Sequence, residues 1–169
     1  MTKKKLDMDQ IGFGGGCHWC TEAVFQALRG VGNVAQGFIR SDPPHDSWSE
    51  AVLLAFDPHG IPVDALIEVH LRTHASTSNH KMRGKYRSAV YVFSDQQAEE
   101  CRSALQRLQA QFDAPLVTQV LPHRGFKASD PRFHNYHARN AGGQFCTRYI
   151  DPKLALLGRE FAELARPCV

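Results

Sequence analysis

The chain has 169 residues, of which 43% are hydrophobic and 22% charged, and its formal net charge is +3. A chain of this size is expected to form a single domain, 1–169, around one packed core. Its basic residues are scattered apart from Lys3 to Lys5, and no apolar stretch approaches the ~20 residues of a membrane span, which argues against nucleic-acid binding and membrane insertion.

The predicted elements alternate between strands and helices. In chain order they are a strand end at 10–13, a helix over 21–28, a strand over 49–56, a helix from Pro62, a strand over 88–93, a helix over 96–112 capped by Asp95, a strand over 116–121 and a last helix over 151–166. This order is typical of an α+β fold, a two-layer α/β sandwich with a mixed or antiparallel sheet. We expect residues 1–9 to be flexible and residues 123–150 to form a coil-rich arm that carries Cys146.

The cysteines point to redox chemistry. There are five, and no apolar leader segment precedes them, which predicts reactive thiols in a reducing, cytoplasmic compartment. Cys101 falls on the apolar stripe of its predicted helix and is expected in the core. Cys168 is the penultimate residue, and a terminal thiol can either relay a disulfide onward or stay idle.

The most informative segment reads GGGCHWCTE and runs from Gly14 to Glu22. Because a strand precedes it and a helix follows, Cys17 is expected at a strand-to-helix turn near a helix N-terminus. The unpaired N–H groups and partial positive charge there stabilise a thiolate, so Cys17 is the predicted nucleophile. The glycines leave room for a substrate, and Trp19 can supply an apolar wall beside the sulfur.

Cys20 leaves alternatives open. Its Cys-x-x-Cys spacing with Cys17 is typical of a redox disulfide or of half a metal site, and the side chain can also simply pack on the inner face of the helix. The nine histidines include pairs at positions 70 and 74 and at positions 134 and 137, which keeps a zinc site open. Neither pair has an acidic or Cys ligand at a familiar spacing, so we assign no metal ligand.

Five segments match one known family in order. They are GCHWCTE at 16–22, SEAV at 49–52, DP at 57–58 with His74, KYRS at 85–88, and YH at 136–137 followed by NAGGQFC at 140–146. They resemble the Gly-Cys-Phe-Trp, Ala-Glu-Val-Val, Asp-Pro, Gln-Tyr-Arg-Ser and Tyr-His…Asn-Pro-x-Gly-Tyr-Cys motifs of the A-type peptide methionine sulfoxide reductases. The resemblance extends from about Gly12 to Cys146 and implies an α+β fold with a ferredoxin-like core and a coil-rich C-terminal region.

The resemblance also implies roles for single residues. Glu50 would give a proton to the sulfoxide oxygen and Tyr86 would hydrogen-bond that oxygen, whereas by themselves they read as a solvated strand-end residue and a core tyrosine. Cys146 would resolve the oxidised Cys17 as a disulfide. Cys20 and Cys168 are the other thiols that can resolve or relay.

Three departures from the family pattern concern the substrate. His18 stands where the family has Phe, so the cage that His18 and Trp19 form around the substrate has one polar wall. The loop between Phe38 and Glu50 is shorter than in the common members. The segment 80–84 lacks a family carboxylate that binds substrate. His137, by contrast, matches the His of the family's Tyr-His motif, and the resemblance implies that it binds substrate.

The predicted function is thiol-dependent reduction of a sulfoxide, most simply methionine-S-sulfoxide, free or in proteins, through a Cys17 sulfenic acid. No organic cofactor motif is present, so a thioredoxin-like protein or a small thiol is expected to supply the electrons to a monomeric enzyme. One alternative is a thiol/disulfide oxidoreductase that acts on another oxidised sulfur compound through Cys17 and Cys20. A second is a zinc-binding or redox-sensing module.

Overall fold

The computed structural model describes residues 8–166, so Cys168 and the first seven residues lie outside the described part of the chain. The strands are β1 Asp9–Gly14, β2 Val31–Arg40, β3 Ser49–Phe56, β4 Ala89–Val92, β5 Gln119–Pro122 and β6 Gly125–Ala128. The helices are α1 His18–Gln26, α2 Val63–Arg72, α3 Asp95–Leu108, α4 Tyr136–Arg139 and α5 Asp151–Glu160. Within residues 8–166, no helix has the length and apolar character needed to cross a membrane.

The strands form one sheet of six, in the order β5-β4-β1-β3-β2-β6. Its centre is a β1-α1-β2-β3-α2-β4 unit, in which β3 lies between β1 and β2 and the neighbouring strands are antiparallel. This is the split-βαβ arrangement of ferredoxin-like folds. β5 extends one edge in parallel with β4, and β6 extends the other edge antiparallel to β2, so the predicted α+β class with a mixed sheet is confirmed.

The main core lies between one face of the sheet and the helices. Ile11 and Phe13 alternate inward along β1, and the Phe13 ring stacks on Phe25 of α1 with 4.6 Å between ring centroids. Leu66 and Ile67 bring the apolar face of α2 into the same cluster. Burial of each such side chain contributes about 2–3 kcal/mol, so the sheet and α1 form a rigid base for the turn between them.

The start of α3 differs from the prediction. Ser94, and not Asp95, is the N-cap: its Oγ accepts a hydrogen bond from the backbone N–H of Gln97 at 3.1 Å. Asp95 is the first helical residue, where its carboxylate still faces the positive end of the helix. Ser and Asp are both favoured N-cap residues, so the sequence alone does not show which of the two caps the helix.

The predicted arm 123–150 holds more regular structure than expected. Part of it is β6, which pairs with β2. The four residues of β6 show no alternation of apolar and polar side chains, so the sequence did not indicate this strand. α4 and a π-helical turn over Cys146–Ile150 follow. α5 ends at Glu160 and not at 166, Gln119 begins the strand expected from 116, and Asp9 already belongs to β1.

Two buried polar side chains fasten the arm to the core. The Glu22 carboxylate on α1 accepts hydrogen bonds from the backbone N–H groups of Asn135 and Tyr136, at 3.0 and 3.1 Å. Gln36 on β2 accepts a hydrogen bond from Ser129 Oγ at 2.8 Å. Because buried polar groups are costly when unpaired, these contacts fix the path of the arm beside the N-terminus of α1.

Candidate active site

Cys17 caps the N-terminus of α1, as its position after a strand predicts. Its carbonyl accepts hydrogen bonds from the backbone N–H groups of Cys20 and Thr21, at 3.1 and 3.2 Å. The side chain is partly exposed. The sulfur thus lies at the positive end of a helix and within reach of a substrate.

The glycine turn before Cys17 is held from below by side chains of other elements. His70 Nε2 donates to the Gly14 carbonyl at 2.8 Å, and Arg83 Nη1 donates to the Gly15 carbonyl at 2.9 Å. Gly15 has φ +152°, and a Cβ there would lie 2.5 Å from Cδ2 of His74. Only glycine leaves room for the close approach of the His74 ring. Together these contacts fix the turn and so place the Cys17 sulfur at the start of α1.

The two cysteines of the Cys-x-x-Cys segment differ in acidity. The pKa of Cys17 is lowered, above all because the Cys20 S–H donates to its sulfur and further because the backbone N–H groups of Trp19 and Cys20 face it; burial and the Glu50 carboxylate act in the opposite direction. The same contact raises the pKa of Cys20, and burial adds to this. Cys17 is therefore the more acidic thiol of the pair.

One cavity, which we call the front cavity, opens beside the Cys17 sulfur. Its volume is about 550 Å³, and its lining joins parts of the chain that are remote in sequence: Cys17, His18, Trp19, Phe38, Glu50, Lys85, Tyr86, Lys127, Ala128, Ser129, Asp130, Phe133 and Phe145. The structure thus brings Cys17, Trp19, Glu50 and Tyr86 together as the sequence predicts. The volume suits a small molecule or one side chain of a peptide.

Glu50 is the carboxyl group of the front cavity, and its side chain is only 8% exposed. Its Oε1 lies 3.4 Å from the backbone N of His18 and 3.4 Å from Nε2 of the same residue, and its Oε2 lies 3.7 Å from Lys85 Nζ. The His18 ring is held at its other end, because Nδ1 lies 2.9 Å from the Gly37 carbonyl. The polar wall predicted at His18 is thus part of a buried polar pair.

Aromatic rings form the apolar wall. Trp19 stacks on Tyr136 with 4.1 Å between centroids and 2° between planes. Phe133 and Phe145 approach the same indole at 5.5 and 5.3 Å. The wall predicted from Trp19 therefore includes Phe133 and Phe145 of the C-terminal arm, whereas Tyr136 stacks on the indole without lining the cavity. Such an apolar wall suits the S-methyl group of a thioether.

A second cavity, which we call the rear cavity, also borders Cys17. It measures about 530 Å³ and includes Cys17, Cys20, His70, His74, Tyr86 and Lys153 in its lining. Burial lowers the pKa of His70 well below its usual range and that of His74 to about 4, so both rings are neutral at pH 7.

Lys153 is the cation of the rear cavity. Its Nζ donates to the Thr73 carbonyl. Burial lowers its pKa, while the nearby sulfurs of Cys20 and Cys17 act in the opposite direction. This ammonium group in turn counters the rise in the pKa of Cys20, so it favours loss of a proton from that thiol.

Cys146 lies behind this pair of cysteines. It is 0% exposed and packs in one cluster with Cys20, Ala23 and Ile150, and Cys17 borders the same cluster. Burial raises the pKa of Cys146. Cys101, by contrast, lies in the main core, as its position on α3 predicts.

The structure places one predicted site residue elsewhere. His137 on α4 hydrogen-bonds Asp151 through Nε2 at 3.0 Å and lines neither the front nor the rear cavity. Two lining residues, Lys85 and Lys153, are absent from the predicted set. Their only signal is proximity in sequence to Tyr86 and to the start of α5, which does not distinguish them from other surface lysines.

Three of the four histidines considered for zinc, at positions 70, 74 and 137, are engaged in other contacts. His70 and His74 support the glycine turn, and His74 Nε2 accepts from Ser88 Oγ at 2.8 Å. Within residues 8–166, no group of three or more His, Cys, Asp or Glu side chains is arranged to hold a metal ion.

The fold and the site are those of an α+β thiol oxidoreductase: a cysteine of lowered pKa lies at a helix N-terminus, beside a cavity that holds a carboxyl group and beside a cluster of further thiols. The family model "Peptide methionine sulfoxide reductase" matches residues 9–164. A relative from Deinococcus radiodurans named peptide methionine sulfoxide reductase MsrA is 32% identical over an alignment of 181 positions, and the match covers 98% of this chain and 88% of the relative. The chain belongs to the peptide methionine sulfoxide reductase family, so the family predicted from its motifs is confirmed, and with it the prediction of a thiol-dependent enzyme.

Solved structures show the same fold. Reduced Mxr1 from Saccharomyces cerevisiae superposes with a TM-score of 0.73 at 18% identity, covering 86% of this chain and 92% of that chain. Mxr1 from Saccharomyces cerevisiae in complex with Trx2 gives a TM-score of 0.63 at 16% identity, covering 79% of this chain and 89% of that chain. At these identities the likeness concerns the fold alone.

Proposed function

We propose that this enzyme reduces methionine-S-sulfoxide, free or in proteins, with Cys17 as nucleophile. The observation that carries the proposal is the position of Cys17: its pKa is lowered, and it faces a cavity that holds Glu50, Tyr86 and the Trp19 wall. A thiolate beside a proton donor and an apolar pocket is what reduction of a methyl sulfoxide requires.

In the first step the Cys17 thiolate attacks the sulfoxide sulfur, and the oxygen takes a proton from Glu50. The thioether leaves, and Cys17 becomes a sulfenic acid: the substrate sulfur gains two electrons and the Cys17 sulfur loses two. Tyr86 lines the front cavity and can donate a hydrogen bond to the oxygen. Trp19 packs against the methyl group.

In the second step another thiol condenses with the sulfenic acid, which forms a disulfide and releases water. We assign this step to Cys146, with Cys20 as the alternative, because both pack in the cluster that Cys17 borders. Cys20 is one helical turn away, a separation that a disulfide can span. Cys168 remains a proposed relay outside the described residues.

A thioredoxin-like protein or a small thiol then reduces the disulfide by exchange. The complex of yeast Mxr1 with Trx2 supports a reductant of this class. We further propose that the enzyme works as a cytoplasmic monomer without an organic or metal cofactor and without binding nucleic acid. Size-exclusion chromatography tests the monomeric state. Metal analysis of the active protein tests the absence of a metal cofactor.

A second candidate function follows from the contact between the Cys20 S–H and the Cys17 sulfur. As a dithiol pair, Cys17 and Cys20 would reduce another oxidised sulfur compound and form a disulfide in one exchange. This candidate requires Cys20 for turnover and makes Cys146 dispensable.

The decisive experiment is a reductase assay on both epimers of free and protein-bound methionine sulfoxide, with dithiothreitol as reductant. Wild type is compared with Cys17→Ser. Turnover of the S epimer that disappears in the variant supports the proposal. Folded, reduced wild-type protein that turns over neither epimer refutes it and directs the assay to other oxidised sulfur compounds.

A further inference from the structure

His18 is the least expected feature of the front cavity, because its ring is locked in place instead of open to a substrate. Nδ1 lies 2.9 Å from the Gly37 carbonyl, and the side chain is 8% exposed. The edge of Phe38 approaches the ring at 5.3 Å between centroids. These contacts leave the ring one orientation.

This orientation settles which nitrogen can exchange a proton. A carbonyl oxygen only accepts hydrogen bonds, so Nδ1 of His18 carries a hydrogen. Nε2 faces Oε1 of Glu50 at 3.4 Å. Either Nε2 donates to a carboxylate, or it accepts from a carboxylic acid, and a single mobile proton satisfies both arrangements.

We propose that His18 is a positioning residue that stores, between its Nε2 and Glu50 Oε1, the proton used in sulfoxide reduction. The inference rests on the proposed function for the use of the proton, but the proton-sharing pair itself does not depend on the substrate. Glu50 remains the group that touches the oxygen, and His18 acts through it.

The proton balance closes over a full cycle. In the first step one proton leaves Glu50 for the sulfoxide oxygen, and the Nε2 proton of His18 moves to the carboxylate. Disulfide formation releases water and needs no further proton. When a dithiol later reduces the disulfide, Cys17 emerges as a thiol, and the proton that it loses on becoming a thiolate reloads the pair.

Other charged groups surround the pair and also influence it. Lys85 Nζ lies 3.7 Å from Glu50 Oε2, but its side chain is 57% exposed, so solvent screens it. The remaining titratable groups that line the front cavity are Cys17, Tyr86, Lys127 and Asp130. Among the titratable groups of residues 8–166, only His18 Nε2 lies as close as 3.4 Å to Oε1, and both side chains of this pair are only 8% exposed.

The kinetic test measures release of one equivalent of methionine, without reductant, between pH 6 and pH 9. His18→Phe keeps an aromatic ring without nitrogen, and His18→Gln keeps a polar side chain that does not titrate. Both variants should match wild type near pH 6 and fall about tenfold below it near pH 8, within the usual range for general acid catalysis. His59→Gln, at an exposed turn after β3, is the matched control and should follow wild type throughout.

A profile that is unchanged in both variants, or lowered equally at every pH, would overturn the proposal and leave the ring a packing role. The second measurement is independent of substrate: nitrogen NMR of the His18 imidazole, assigned by its loss in His18→Gln. Nδ1 should carry a hydrogen throughout, and Glu50→Gln should change the Nε2 signal, because the carboxyl group that shares its proton is gone. An unchanged Nε2 signal would refute the pair, whereas wild type that releases no methionine would refute the proposed function alone.

Discussion

The front and rear cavities share one sulfur but differ in what surrounds it. On the front side Cys17 meets a carboxyl group, an imidazole locked against it and a wall of aromatic rings. On the rear side it meets Cys20, neutral histidines and a buried lysine, with Cys146 close behind. We propose that the two cavities have different roles, in which proton transfer and substrate binding use the front cavity and thiol exchange uses the rear cavity.

This division explains why the sulfur must be held so firmly. Cys17 has to meet a substrate on one side and a thiol on the other without a change in the backbone. The hydrogen bonds from His70 and Arg83 to the glycine turn provide that support from elements remote in sequence. His70 also lines the rear cavity, so the support of the glycine turn and the shape of that cavity are linked.

The largest effect should come from removal of the shared sulfur. Cys17→Ser replaces a thiolate with a hydroxyl group that is not ionised at pH 7, so we expect methionine release to fall by at least about 10³-fold. The assay is turnover of methionine-S-sulfoxide with dithiothreitol. Cys101→Ala, in the main core, should keep the wild-type rate, and sustained turnover by Cys17→Ser would contradict the assignment of the nucleophile.

Glu50→Gln should disable the front cavity and spare the rear. We expect the first turnover to slow by about 100-fold, since a proton donor is lost. Alkylation of Cys17 by iodoacetamide should become slightly faster, because the Glu50 carboxylate raises the pKa of Cys17. Glu68→Gln, a partly exposed change on α2, is the control; if it slows methionine release as much as Glu50→Gln does, Glu50 is not the donor.

Loss of the Cys146 thiol should spare the first turnover and slow the complete cycle. In Cys146→Ser we expect the release of one equivalent of methionine, a sulfenic acid that dimedone traps, and about tenfold slower turnover with thioredoxin. Cys20→Ser should retain most of this turnover. The opposite result, with Cys20→Ser blocked and Cys146→Ser active, would move the resolving role to Cys20 and favour the dithiol function.

The smallest expected effect is a loss of folding stability at acidic pH. The pKa of His74 is lowered to about 4 from an ordinary value of 6.5, so the unfolded chain binds a proton that the folded protein excludes. Protonation of the unfolded chain therefore lowers the free energy of unfolding. The loss is absent above about pH 6.5, grows as the pH falls toward 4, and reaches about 2 kcal/mol at pH 4.5. Urea unfolding of wild type and His74→Gln at pH 7 and pH 4.5 checks it: the variant should lose less stability on acidification, and an equal loss would contradict the buried neutral ring.

Much of the site could be predicted from local patterns. The strand-glycine-cysteine-helix order placed Cys17 at a helix N-terminus, because capping and the helix dipole act within one turn of the chain. The apolar run 49–56 gave the bounds of β3, and so placed Glu50 at a strand start. The motif order added Tyr86, which does line both cavities.

The tertiary structure decided which groups face one another. His18 and Glu50 are 32 positions apart, and Gly37, which orients the ring, is 19 positions from His18. Lys153 reaches the cysteines only because α5 packs beside α1, and β6 forms only because β2 offers it a free edge. The sequence by itself determined the place of Cys17 at a helix N-terminus, the α+β order and the family, because these depend on patterns within a few residues. The contact between His18 and Glu50 and the two cavities exist only after the sheet, α1 and the C-terminal arm have packed together.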